Sequence, residues 1–218
     1  MQKILLLTGM TPDPRIFERL LPLLPSAVVV DWIPPNSNES IASYAERLSR
    51  TIINDQPTIV CGVSFGGIVA GELAECLNAS ACVLVSSVRS PKELPPWYRC
   101  FRAVPHRVTE SMIKIVGRVA SRWPRKFRSA STWRLSKLNG TSGEWYRWAM
   151  AAVLKWNPTH ENERVPLIHI HGDRDSTFPI RYTQADRIIP GGGHILSLTN
   201  YTEVAEILQE LACRNSAA

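Results

Sequence analysis

Cysteine, charge and long hydrophobic runs are all scarce in this sequence. Five of the 218 residues are cysteine and none form a C-x-x-C pair, so neither a disulfide framework nor a zinc site is predicted, and a cytoplasmic location is expected. No stretch approaches the roughly twenty apolar residues that a membrane span requires, and the apolar run at residues 4–7 is too short for a secretory signal. Charged residues make up 20% of the chain and hydrophobic residues 44%, which excludes a disordered chain and predicts one sizeable core.

Acidic residues are also nearly missing from the middle of the chain. Residues 89–155 contain fifteen Lys and Arg but only three acids, a balance of +12, whereas the remainder has ten basic and sixteen acidic residues, a balance of −6. Such a basic stretch indicates either an anionic ligand or partner, or a solvated helical face, and charge alone does not separate the two. No nucleic-acid motif accompanies the charge, so a nucleic-acid partner is not predicted.

Short strand-like runs alternate with helix-like segments along the chain. The strand candidates are residues 4–7, 27–30, 58–61, 81–85, 167–170 and 187–189. The first five are almost continuously apolar, which is typical of parallel strands buried on both faces. Between strands, apolar residues recur at helical spacing, as at positions 41, 44, 45 and 48. The alternation predicts an α/β fold, with a doubly wound, mainly parallel sheet of about six strands in a single domain of residues 1–218.

The motif G-V-S-F-G at residues 62–66 follows the third strand and leads directly into a helix-compatible segment. A serine in such a strand–turn–helix arrangement has a strained backbone and an exposed hydroxyl. Backbone N–H groups at the start of the helix favour an anion beside that hydroxyl. The pattern alone also fits an ordinary glycine-rich turn, because a nucleophilic serine needs a base, and the base needs an acid to orient it.

Two downstream motifs supply that base and acid in a recognisable order. Residues 171–179, H-G-D-R-D-S-T-F-P, match the pattern H-G-x-x-D-x-x-x-P, and residues 191–194 read G-G-G-H. Together with the serine motif, these two motifs span nearly the whole chain, which resembles the α/β-hydrolase superfamily. In that superfamily the catalytic triad occurs in the chain order Ser, then Asp or Glu, then His. The resemblance implies a catalytic triad of Ser64, Asp175 and His194.

Several polar residues near these motifs leave alternatives open. Spacing alone would let either Asp173 or Asp175 reach His194, and the resemblance favours Asp175. Asp173 is then expected to cap or brace the loop. His169 and His171 alternate along the fifth strand and are interpreted as core or loop-bracing histidines.

The resemblance also implies an oxyanion hole. Its first donor would be the Phe65 N–H, and its second the Met10 N–H, in a loop where Thr8 replaces the usual histidine of the family. Because Met1 leads straight into the first strand, we expect six strands rather than the eight of the family. No metal or organic cofactor is implied, since the sequence lacks H-E-x-x-H, a paired-acid site, the Walker ending and G-x-G-x-x-G.

About eighty residues separate the strand ending near Val85 from the next strand, far more than one helix and its loops require. We therefore predict a basic helical cap at residues 90–158, inserted after that strand. Its tryptophans would either line an apolar slot above Ser64 or form the core of the cap itself. The helical spacing of the later ones favours the second reading. The six are Trp97, Trp123, Trp133, Trp145, Trp148 and Trp156.

These features predict a serine hydrolase, specifically a carboxylesterase that cleaves a small or medium acyl ester through an acyl-enzyme on Ser64. The alternative within enzymes is a thioesterase or acyltransferase whose basic cap holds an anionic carrier, such as coenzyme A or acyl carrier protein, or meets an acidic lipid surface. A non-catalytic partner-binding protein on the same scaffold is the alternative outside enzymes. Lyase or synthase chemistry also fits the scaffold, which fixes the fold better than the reaction.

The carrier hypothesis predicts a selective effect of the basic residues. Replacing Arg122, Arg125, Lys126 and Arg128 with Gln should lower kcat/KM several-fold for an acyl-coenzyme A at low salt and leave a neutral nitrophenyl ester nearly unchanged. Exposed charges act through long-range attraction, which is screened over about 8 Å at physiological ionic strength. An equal response of both substrates, or no response and no salt dependence, would leave these charges as a solvated face.

Overall fold

The computed structural model of the chain describes residues 2–96, 98, 142–158 and 164–214. Within these residues, six strands form one sheet: β1 (Lys3–Leu7), β2 (Ala27–Val29), β3 (Thr58–Val63), β4 (Ala81–Val85), β5 (Leu167–Gly172) and β6 (Arg187–Ile189). Their order is β2-β1-β3-β4-β5-β6, and every neighbouring pair is parallel. The predicted doubly wound parallel sheet is confirmed.

Helices cover the sheet on both sides. The described α-helices are α1 (Ile41–Ser49), α2 (Phe65–Cys76), α3 (Ser142–Lys155), α4 (Leu196–Thr199) and α5 (Tyr201–Arg214). Shorter 3-10 turns lie at Pro14–Phe17, Leu21–Leu23, Pro91–Glu93 and Ile180–Tyr182. No helix in this part of the chain is long and apolar enough to cross a membrane.

Alternate side chains of each strand belong to different cores, as expected when both faces of a sheet are covered. On β1, Leu5 and Leu7 pack with α1, α2 and α3, whereas Ile4 and Leu6 pack on the opposite face with α5. Because all strands run in parallel, their carboxyl ends share one edge of the sheet. The loops after β1, β3, β5 and β6 meet there, which is where ligand sites of such sheets form.

The structure changes the interpretation of the predicted cap at residues 90–158. Within that range it describes residues 90–96, 98 and 142–158, so Trp97, Trp123, Trp133 and the basic run from Arg118 to Arg128 lie outside the described residues. The reading of Trp145, Trp148 and Trp156 as a separate cap core is wrong. All three are buried in the core that covers the sheet.

The position of α3 explains this difference. The Trp148 ring lies 4.4 Å from the ring of Tyr44 on α1 and 5.8 Å from that of Phe65 on α2. The Trp156 indole donates a hydrogen bond of 3.1 Å to the buried Glu72 carboxylate of α2. Helical spacing correctly indicated a packed stripe, but it does not reveal which surface the stripe packs against.

Candidate active site

Ser64 occupies a sharp turn between β3 and α2. Its backbone angles are φ 54° and ψ −122°, a conformation that residues with a side chain rarely adopt and that costs of order 1–3 kcal/mol. A Cβ added to Gly62 would collide with the Gly66 carbonyl, and one added to Gly66 would collide with the Thr8 carbonyl. The Ser87 hydroxyl donates to the Ser64 carbonyl at 2.7 Å and holds the turn from the adjacent strand's loop. The small residues of the motif therefore let three backbone segments meet at the serine.

The structure brings Ser64, His194 and Asp175 together from three separate loops. His194 Nε2 lies 2.9 Å from Ser64 Oγ, and His194 Nδ1 lies 2.8 Å from Asp175 Oδ2. The ionised carboxylate only accepts, so Nδ1 of the neutral ring carries the proton and Nε2 is free to accept one from the serine hydroxyl. The Asp175 side chain is fully buried, whereas His194 is 22% exposed. This is the arrangement that general-base activation of a serine requires.

Three hydrogen bonds and a second imidazole surround the Asp175 carboxylate. Its Oδ1 accepts from the backbone N–H groups of Thr177 at 2.8 Å and Phe178 at 3.0 Å. Its Oδ2 accepts from His194 and lies 3.3 Å from His171 Nε2. Burial by itself raises the pKa of Asp175, but the interactions with His171 and His194 outweigh it and hold that pKa well below its ordinary value. Asp175 therefore stays ionised at neutral pH.

Asp173 makes a different contact. Its Oδ1 accepts the Gly191 N–H at 2.7 Å and braces the loop that precedes His194. Asp173 is exposed, whereas Asp175 is buried. Of the two carboxylates that sequence spacing could not separate, Asp175 is the one beside His194.

A buried histidine pair behind Asp175 was not anticipated from the sequence as part of this network. His171 Nε2 lies 2.7 Å from the Phe178 carbonyl, which can only accept, so this nitrogen carries a proton. In the neutral ring, His171 Nδ1 then accepts from His169 Nε2 at 2.9 Å. Burial, aided by the nearby His171 and Arg89, lowers the pKa of His169 to about 3 and keeps it neutral. The available signal was the H-x-H spacing, which places both rings on one face of a strand.

Both predicted oxyanion segments lie next to the serine. The Phe65 N–H is at the first position of α2, where backbone donors have no partner inside the helix. A Cβ added to Gly9 would lie 3.6 Å from Ser64 Cβ, so the loop that carries Met10 passes beside Ser64. Thr8, which replaces the usual histidine of this loop, accepts a 2.6 Å hydrogen bond from the Trp32 indole. The roles of the Phe65 and Met10 N–H groups stay predictions.

Among the residues that the structure describes, no three His, Cys, Asp or Glu side chains are grouped as metal ligands. The site consists of a serine, an imidazole, a carboxylate and backbone donors. Such groups support nucleophilic attack on a carbonyl carbon followed by proton return to a leaving group.

Comparisons with known proteins agree with this geometry. A model of the alpha/beta hydrolase family matches residues 4–207. An esterase from Thermogutta terrifontis, solved with malate, shares 16% identity and a TM-score of 0.65, covering 98% of this chain and 90% of that one. The NocB thioesterase domain, solved as a covalent complex with a fluorophosphonate nocardicin G analogue, shares 18% identity and a TM-score of 0.62, covering 97% and 95%.

A lipase-esterase related protein from Clostridium acetobutylicum is also similar, with 14% identity, a TM-score of 0.63 and coverage of 96% of this chain and 94% of that chain. At these identities, the likeness concerns the fold. Comparison with curated proteins finds no match.

The contacts of the two aspartates predict unequal effects of removing their charge. We expect Asp175→Asn to lower kcat for ester turnover by about 10⁴-fold, because an amide nitrogen beside His194 Nδ1 would favour the wrong tautomer. Asp173→Asn keeps an oxygen that can accept the Gly191 N–H, so it should lower kcat by less than about tenfold. Steady-state kinetics of both variants tests the ranking, and the reverse order would identify Asp173 as the acid.

The buried His169 predicts a pH dependence of stability. Its folded pKa is about 3, whereas an unfolded histidine titrates near 6.5. As the pH falls from roughly 6.5 to 5, the unfolded state gains a proton that the native state does not, so stability falls by up to about 1.4 kcal/mol per pH unit. We expect His169→Gln to reduce this slope in urea unfolding curves. An unchanged slope would contradict a buried neutral ring.

Proposed function

The chain belongs to the alpha/beta hydrolase family, and on that premise we propose that it is a serine hydrolase, most specifically a carboxylesterase for small or medium acyl esters. The observation that carries the proposal is the hydrogen-bonded row from Ser64 Oγ to His194 at 2.9 Å and from His194 to the buried Asp175 at 2.8 Å. A buried carboxylate that accepts three hydrogen bonds, aligned behind an imidazole and a strained serine, supports the role of Ser64 as an activated nucleophile.

The proposed reaction has two halves. His194 Nε2 accepts the hydroxyl proton while Ser64 Oγ bonds to the ester carbonyl carbon, and the resulting oxyanion is stabilised by the N–H groups of Phe65 and Met10. The carbon–oxygen bond to the alcohol then breaks, and His194 delivers its proton to the departing oxygen, leaving an acyl group on Ser64. In the second half, His194 takes a proton from water, the hydroxide displaces the acyl group as a carboxylic acid, and Ser64 regains its proton.

Asp175 contributes through His194. The Asp175 carboxylate fixes the proton on His194 Nδ1 and stabilises the imidazolium that forms during each half. Because the Thr177 and Phe178 N–H groups hold the other carboxylate oxygen, the acid has a fixed orientation. The ring of Phe178 packs edge-to-face against that of His194, with the ring centroids 5.6 Å apart.

A thioesterase or acyltransferase is the second candidate. The net charge of +12 over residues 89–155 favours an anionic carrier substrate, and a thioesterase domain shares the fold at 18% identity. A partner-binding protein without catalysis is the third, and it would not require an ionised acid buried behind a histidine. The odd cysteine count, without a paired spacing, supports a cytoplasmic location for this reaction.

The nucleophile is tested by covalent labelling. We expect a fluorophosphonate to modify Ser64, as located by peptide mapping, because its hydroxyl is activated by His194 at 2.9 Å. Ser64→Ala should abolish both labelling and ester turnover. The matched control is Ser176→Ala, which removes an exposed hydroxyl from the acid loop and should keep both. Full turnover in Ser64→Ala would exclude the proposed mechanism.

A further inference from the structure

The last described helix of the predicted insert is hydrogen-bonded to the loop that follows β1. The Trp145 indole Nε1 donates to the Met10 carbonyl at 2.7 Å, and the Tyr146 hydroxyl lies 3.0 Å from Thr11 Oγ1. These contacts join residues 135 positions apart in sequence. Met10 is the residue whose N–H is the proposed second oxyanion donor, so α3 contacts the catalytic apparatus directly.

Trp145 also packs against the other donor segment. Its ring lies 5.9 Å from that of Phe65, in an edge-to-face arrangement, and 5.0 Å from that of Trp32. Trp32 donates its own indole hydrogen to Thr8, two residues before Met10. Trp145 is 6% exposed. One buried side chain therefore contacts both segments that carry the proposed donors.

These contacts restrict the backbone where precision matters for catalysis. A hydrogen bond to the Met10 carbonyl opposes rotation of the peptide group that follows Met10, and the bond to Thr8 restrains the loop on the other side. Donors held in place before the reaction stabilise a developing oxyanion without reorganising during it. A displacement of about 1 Å at such a site can lower the rate by about 10²-fold.

We propose that Trp145 is a positioning residue of the oxyanion hole, which holds the Met10 N–H beside Ser64 through the hydrogen bond to the Met10 carbonyl. The proposal rests on the proposed serine hydrolase function. It assigns α3 to the fixed part of the active site rather than to a movable cover.

Trp148 provides a matched control on the same helix. Its ring belongs to the same aromatic cluster, and its indole also donates to a backbone carbonyl, that of Glu39 at 2.8 Å. Trp145→Phe and Trp148→Phe therefore each lose one indole hydrogen bond and the same ring area, so we expect similar losses of thermal stability. Only Trp145→Phe loosens the loop that carries Met10.

The decisive measurement is the split between kcat and KM for a neutral nitrophenyl ester. We expect Trp145→Phe to lower kcat about tenfold or more with KM changed less than about twofold, whereas Trp148→Phe leaves both within about twofold. The rate at which a fluorophosphonate modifies Ser64 should fall by a factor similar to that of kcat. Equal kinetic effects in the two variants, or a rise in KM alone for Trp145→Phe, would overturn the positioning role.

A second variant keeps the test decisive if Trp145→Phe does not fold. Tyr146→Phe removes the contact with Thr11 on the same loop and changes one oxygen atom. It should lower kcat by about twofold to fivefold at constant KM, and no change would count against the proposal. Wild-type protein that neither turns over esters nor reacts with the fluorophosphonate would instead refute the proposed function itself, which separates the two failures.

Discussion

The close approach of three backbone segments at Ser64 is the constraint on which the rest of the site depends. Because Gly62 and Gly66 have no side chains, the end of β3 lies against the first turn of α2, and that turn lies against the backbone after β1. The turn after β3 forces Ser64 to φ 54°, so the hydroxyl is presented toward the edge where His194 arrives. A side chain at Gly66 would collide with the backbone of Leu7 and Thr8, and one at Gly62 would collide with the first turn of α2.

The buried hydrogen bonds behind Asp175 have a consistent donor order. His169 donates to His171, and His171 donates to the Phe178 carbonyl. Because the carbonyl can only accept, it fixes which nitrogen of each ring carries the proton. His194 and the backbone N–H groups of Thr177 and Phe178 donate to Asp175, so a fully buried carboxylate is stabilised by three hydrogen bonds. This arrangement keeps the acid ionised and leaves the acceptor nitrogen of His194 free for Ser64.

Much of the fold and the core of the site could be predicted from sequence, because both depend on local signals. Apolar runs identified all six described strands, and three short motifs identified the three residues that meet at the carboxyl edge of the sheet. Contacts between residues distant in sequence had no comparable local signal in the sequence. Spacing could not separate Asp173 from Asp175, and the helical repeat of Trp145 and Trp148 did not show that their partners are Tyr44 and Phe65.

The hydrogen bond between α3 and the loop after β1 has a consequence for how this chain can vary. It joins residues 10 and 145, which are separated along the chain by three strands of the sheet. A substitution in α3 that shifts the Trp145 indole would therefore also shift the backbone of the loop after β1. Variation in α3 is thus coupled to the backbone beside Ser64, although the two are distant in sequence.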